Sequence, residues 1–125
     1  MSYQGIKGIN RKGIGSMTVR ELTELKDFTE IAILTPDEPV TGVYIGDLLS
    51  WVMGRATKGD AWITIMTNVN ILAVASLAEV SCVILAEGTE LSPELIETAK
   101  GKNINVISSN LPAYEIAKLL AFKGL

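Results

Sequence analysis

The sequence predicts an α/β fold, a three-layer α/β/α sandwich around a mostly parallel sheet of about five strands. Between Gly42 and Ala86, short apolar runs (Val43 to Ile45, Trp62 to Met66, Cys82 to Leu85) alternate with segments of helical character. The runs are nearly continuous, as strands covered on both faces require, and each is followed by a helix, as a parallel sheet requires. A length of 125 residues with 48% apolar content suits one domain with one core.

In chain order, Met1 to Ser16 carries four glycines and the basic residues Lys7, Arg11 and Lys12, and reads as a flexible leader (residues 1–16) before a domain over residues 17–125. Thr18 to Glu21 (TVRE) fits a capping box, and Leu22 and Leu25 give the short helix behind it an apolar face. Glu30 to Leu34 (EIAIL) reads as a first strand, a turn follows at Pro36 to Pro39, and Gly42 to Ile45 forms a second. Gly46 and Asp47 open a helix to about Met53, with Asp47 as its N-cap. Lys58 to Asp60 turns into the strand Ala61 to Met66. A helix from Asn68 or Asn70 to Leu77 follows, its alanines permitting close packing. Ser81 to Leu85 is the next strand. Ser92 with Pro93 then makes a strong N-cap and N1 pair for a helix to about Lys100, ended by Gly101. Asn105 to Ser108 is the last strand, and Pro112 starts a closing helix carrying Tyr114, Ile116, Leu119, Leu120 and Phe122.

Composition narrows the chemistry. A net charge of −3 with both signs interspersed lacks the clustered Lys and Arg that grip nucleic acid or anionic lipid. Cys82 is the one cysteine, so no internal disulfide forms and a cytoplasmic setting is expected. It lies mid-strand, as a buried inert thiol would. Histidine is absent, which removes the commonest metal ligand and the commonest general base together. No GxxxxGK[ST] phosphate loop occurs. No signal peptide is visible, and the longest nearly apolar stretch, Ile71 to Leu85, is interrupted by Ser76, Glu79 and Ser81. No catalytic residue, metal ligand or cofactor is expected.

In parallel sheets ligands bind beyond the C-terminal strand ends, where the chain reverses order. The candidate ligand-binding residues are therefore Gly46 and Asp47 after one strand, Thr67, Asn68 and Asn70 after the next, Glu87 and Gly88 after the third, and Ser108, Ser109 and Asn110 after the last. Helix N-termini there favour an anion, and the hydroxyls and amides add neutral hydrogen bonds. Asp47, Asn70 and Asn110 equally suit helix caps, and Gly46 and Gly88 suit tight turns. Trp51 and Trp62 fit packing positions or a self-association face.

The succession MTVREL, VTGVYIGDLL, GDAWITI and ILAVASLAEVSCVILAEGTELSPELIETAKGKNINVI resembles a DRTGG domain over almost all of Ser16 to Leu125. The resemblance implies a three-layer fold like the N-terminal domain of HPr kinase/phosphorylase, and a regulatory part beside CBS domains or in short proteins associated with iron–iron hydrogenases. The namesake Asp-Arg of the family belongs in the loop after the central strand; here that loop reads Thr67 to Asn70 (TNVN), without acid or arginine. The expectation is a non-catalytic regulatory or accessory domain, not an enzyme, binding a small nucleotide-like or phosphate-like anion at the rim. The alternative is an interaction module: a homodimer, or an assembly partner of a redox or metabolic complex such as a hydrogenase.

Overall fold

The computed structural model describes residues 17–125; the leader expected over residues 1–16, with its glycines and basic residues, lies outside them. The elements run β1 (Met17–Thr18), α1 (Val19–Thr23), β2 (Phe28–Ala32), β3 (Pro39–Val40), β4 (Gly42–Ile45), α2 (Leu49–Arg55), β5 (Asp60–Thr64), α3 (Asn70–Ala78), β6 (Cys82–Leu85), α4 (Pro93–Gly101), β7 (Val106–Ser109) and α5 (Ala113–Phe122). The capping box forms as expected. Thr18 Oγ1 accepts from the Glu21 amide at 3.2 Å, and Glu21 Oε1 accepts from the Thr18 amide at 2.8 Å. Ser92 caps α4 with Pro93 behind it.

Strands β4, β5, β6 and β7 lie side by side in that order, all parallel, and β2 joins β7 antiparallel at one edge. The register aligns Ile45, Ile63, Ile84 and Ile107 in one row across the parallel strands, and Tyr44, Trp62, Val83 and Val106 in the next. Successive side chains point to opposite faces, so the two rows serve two cores. The Trp62 row packs beneath Val52 of α2, Leu72 and Ala75 of α3 and Ala99 of α4. Ile63, Ile84 and Ile107 pack beneath Val19 and Leu22 of α1 and Ile116 and Leu120 of α5. Three layers result, as expected. Covering both faces is what makes β5 and β6 buried along their whole length.

The structure corrects several expected boundaries. β2 spans Phe28–Ala32, two residues before the expected start, with a bulge between Glu30 and Ala32. Its antiparallel direction and the short β1–β3 pair were not expected. Gly101 is the last residue of α4 rather than its stop; the turn falls to Lys102 and to Asn103, whose φ is 58°. The tryptophans part company. Trp62 is fully buried with its indole N–H donating to the Gly46 carbonyl at 2.8 Å, while Trp51 is 54% exposed under the Arg55 guanidinium. Among the described residues no helix is long and apolar enough to cross a membrane.

Asn105 anchors the end of the sheet opposite the rim. Its buried side chain accepts from the amides of Leu34 (2.9 Å) and Thr35 (3.0 Å), and donates to Ser81 O (2.9 Å) and Thr35 Oγ1 (2.7 Å). One residue thus ties the chain leaving β2 to the starts of β6 and β7. Asn105→Ala is expected to cost about 2 kcal/mol, because partly buried donors and acceptors lose their partners. A lowered urea midpoint at unchanged m-value checks it.

Candidate functional site

The connections decide where a crevice can open. Each step from β4 to β7 moves one strand over, and the helices between them all lie on the Trp62 face. After β7 the chain crosses to the other face to form α5. Loops leaving the neighbours β6 and β7 therefore diverge to opposite faces, which makes that end of the rim the topological switch point. β4 lies three strands from β7, roughly 14 Å at the usual strand spacing. The candidate residues accordingly fall into two groups.

The group at β4 and β5 is engaged in holding the rim together. Asp47 Oδ1 accepts from Thr64 Oγ1 at 2.7 Å and from the Ile65 amide at 2.9 Å. Asp47 is thus a stitch from the β4 loop to the end of β5 and not the expected N-cap; Leu48 takes that position without a side-chain bond. This stitch also ends β5 at Thr64 instead of Met66. Gly46 donates to Ile63 O and accepts from the Trp62 indole. Asn68 Oδ1 accepts from the Asn70 amide at 2.9 Å, and the carbonyls of Asn68 and Val69 accept from Ile71 and Leu72. Asn70 is the first residue of α3, not its cap, and the opening amides of that helix bond within their own turn. Thr67 is half-buried in the same loop.

The group at β6 and β7 is joined across the switch point. Glu87 and Gly88 have φ of 58° and 70°, so the chain curls back, and their amides donate to Leu111 O and Ser109 O, each at 2.9 Å. A Cβ on Gly88 would sit 3.0 Å from Asn110 Oδ1, so both the φ and the close approach call for glycine. Ser109 Oγ accepts from the Leu111 amide, and Thr89 Oγ1 donates to Ala86 O. Asn110 is exposed and does not cap α5, where Pro112 holds the N-cap position.

Hollows open around this second group. One of about 250 Å³ is largely apolar, walled by Ile31, Leu85, Leu91 and Ile96, with Thr29, Ser108, Thr89 and Glu90 at its margin. A second of about 170 Å³ is polar, lined by Lys26, Asp27, Thr29, Ser108, Ser109, Asn110 and Leu111. The two share Thr29 and Ser108, which face each other in the β2–β7 ladder. A third, of about 440 Å³, lies against α5 between Asp27, Leu111, Glu115, Lys118, Leu119 and Phe122. Lys26, Asp27 and Thr29 went unnoticed in the sequence because a Lys-Asp pair before a strand is ordinary turn chemistry. Only the antiparallel placement of β2 brings them to the rim. Around the first two hollows the described lining residues are hydroxyl-bearing Thr29, Thr89, Ser108 and Ser109, the amide Asn110, the cationic Lys26 and the carboxylates Asp27 and Glu90.

The family profile of the DRTGG domain matches residues 35–121. No curated protein matches the chain. Among solved structures it is similar, at TM-score 0.71 and 19% identity, to the CBS and DRTGG domains of the regulatory region of Clostridium perfringens pyrophosphatase, complexed with its activator diadenosine tetraphosphate. The match covers 98% of this chain and 52% of that one, so the chain spans about half its length. The chain belongs to the DRTGG domain family, and its fold is that of part of a regulatory region.

Cys82 is buried beneath α1 and α5, and burial pushes its thiol from 9.0 up to about 12. Above about pH 9 the unfolded chain releases this proton while the folded chain keeps it. Its contribution to stability therefore falls as pH rises toward 12, by up to about 1.4 kcal/mol per pH unit. Urea titrations at pH 8 and pH 10 are expected to show a steeper loss for the native chain than for Cys82→Ala.

Proposed function

We propose that this chain is a non-catalytic regulatory or accessory domain that binds a small phosphate-bearing, nucleotide-like ligand at the β2–β7 end of the rim. The observation that carries the reading is the polar hollow at the switch point, whose lining brings Lys26 and Asp27 together with Thr29, Ser108, Ser109 and Asn110. An ammonium with several hydroxyls suits a phosphate, since charge-assisted hydrogen bonds are about twice as strong as neutral ones. The related pyrophosphatase region is complexed with a dinucleotide activator, which supports reading this domain as nucleotide-responsive. Of the rim positions, Ser108, Ser109 and Asn110 are assigned to the ligand and Gly88 to the shape of the loop over it. Gly46, Asp47, Thr67, Asn68, Asn70 and Glu87 are assigned to building the rim.

A second reading, compatible with the first, rests on the opposite edge. Ile45, Leu48, Trp51, Ile65 and Val69 are between 46% and 60% exposed, at the ends of β4 and β5 and the starts of α2 and α3. Among the described residues, β4 is the edge strand of the sheet on that side. Clusters of this kind mark interaction sites, and the occupant assigned here is a second copy of the chain. Assembly with a redox partner of the hydrogenase kind rests on family resemblance alone.

Amide-correlation NMR titration with phosphate, pyrophosphate, adenine nucleotides and diadenosine tetraphosphate, with and without magnesium, tests the first reading. Saturable shifts confined to Lys26–Thr29, Gly88–Thr89 and Ser108–Leu111 are expected, and Lys26→Glu should weaken binding about tenfold. A silent spectrum, or shifts centred on Gly46 to Leu48 and Thr67 to Asn70, overturns it. For the second reading, light scattering should find a dimer that Leu48→Glu together with Trp51→Glu converts to monomer. A monomer at high concentration removes it.

A further inference from the structure

Resting on the ligand reading above, we infer that the ligand is a nucleoside carrying a single phosphate, bound with its base in the apolar hollow and its phosphate in the polar one. Size, polarity and charge converge on this class. Small-molecule sites usually enclose about 300–1,000 Å³. Neither hollow, at about 250 and 170 Å³, reaches that range alone, and Thr29 and Ser108 line both. Taken together they reach its lower end, a size that suits one nucleoside unit spanning the two.

The polarity of the walls divides along the same line. Ile31, Leu91 and Ile96 offer aliphatic contact to a base and nothing to a phosphate. Glu90 stands at the margin of that hollow, where a carboxylate can accept from ribose hydroxyls. Beyond the shared wall the surroundings turn polar, with Lys26 as the cation.

Charge limits the phosphate count. Lys26 is accompanied in the polar hollow by Asp27. Beyond it, the larger hollow against α5 has Asp27 and Glu115 in its walls, and its Lys118 is paired to Glu115 at 3.2 Å. A longer phosphate chain would run toward Asp27 and Glu115, with no further unpaired cation among the described lining residues, and like charges at close range repel. This separates the inferred ligand from a dinucleoside polyphosphate.

Isothermal titration calorimetry without magnesium tests the inference, using AMP, GMP, CMP, UMP, adenosine, ATP, pyrophosphate and diadenosine tetraphosphate. At least one monophosphate should bind tenfold or more tightly than adenosine, ATP, pyrophosphate or the dinucleotide. Ile96→Trp, which fills the apolar hollow, should abolish that preference and leave pyrophosphate affinity unchanged. Glu90→Gln, an exposed and structurally mild change, should remove the discrimination between the monophosphate and its 2′,3′-dideoxy analogue. If ATP, pyrophosphate or the dinucleotide binds as tightly as any monophosphate, the inference fails while the ligand reading stands. If no phosphate compound binds, both fail.

Discussion

The side chain of Asn105 sets the geometry on which the rest of the molecule depends. A parallel sheet of four strands needs no antiparallel neighbour, and β2 has only five residues with which to hold its place. Beyond the bulge, the amides of Leu34 and Thr35 turn from the ladder to the Asn105 carboxamide, whose own N–H groups reach Ser81 and Thr35. The polar demand of three segments is met inside one buried side chain, and leaving such groups unmet is costly. With that end pinned, the register of β2 follows, and Thr29 arrives opposite Ser108. The hollows at the far end are a consequence of a hydrogen-bond cluster that never touches them.

The rim also shows how a fold can decline the role its topology offers. Helix N-termini attract anions because their first amides lack partners. Here α3 satisfies its opening amides within the Asn68 turn, and the carboxylate of Asp47 is spent on the end of β5. The loops at β6 and β7 are latched to each other through Glu87 and Gly88. The hollows lie instead around the antiparallel edge, where Lys26 lines the polar one.

The parallel half of the fold was legible because its signals are local. Ser92-Pro93 and the Thr18 capping box form where the sequence places them, and the apolar runs marked β4 to β6. The antiparallel half was not. A bulge inside Phe28–Ala32 breaks the period-two pattern that identifies a half-buried strand, and β1 and β3 are two-residue segments with no periodicity to read. Asp47 and Asn70 were misread for a physical reason: a carboxylate or amide after a strand suits a cap locally, and only the neighbouring strand end reveals the competing partner. The residues that line the polar hollow divide likewise. Ser108 to Asn110 could be named from position after a strand, while Lys26 and Thr29 needed a partner strand that sequence spacing does not supply.

The pairing of β2 with β7 has a temporal side. Neighbouring parallel strands are linked by one intervening helix, whereas the Leu34–Asn105 bond closes 71 residues of chain. Closing a long loop costs entropy before its contacts repay it, so long-range pairings of this kind form slowly. The first strand of the five-stranded sheet to be synthesised must wait for the last. Until β7 has left the exit tunnel, the walls of the hollows do not exist, and a nascent or C-terminally truncated chain carries Lys26 and Thr29 with nothing to hold them against.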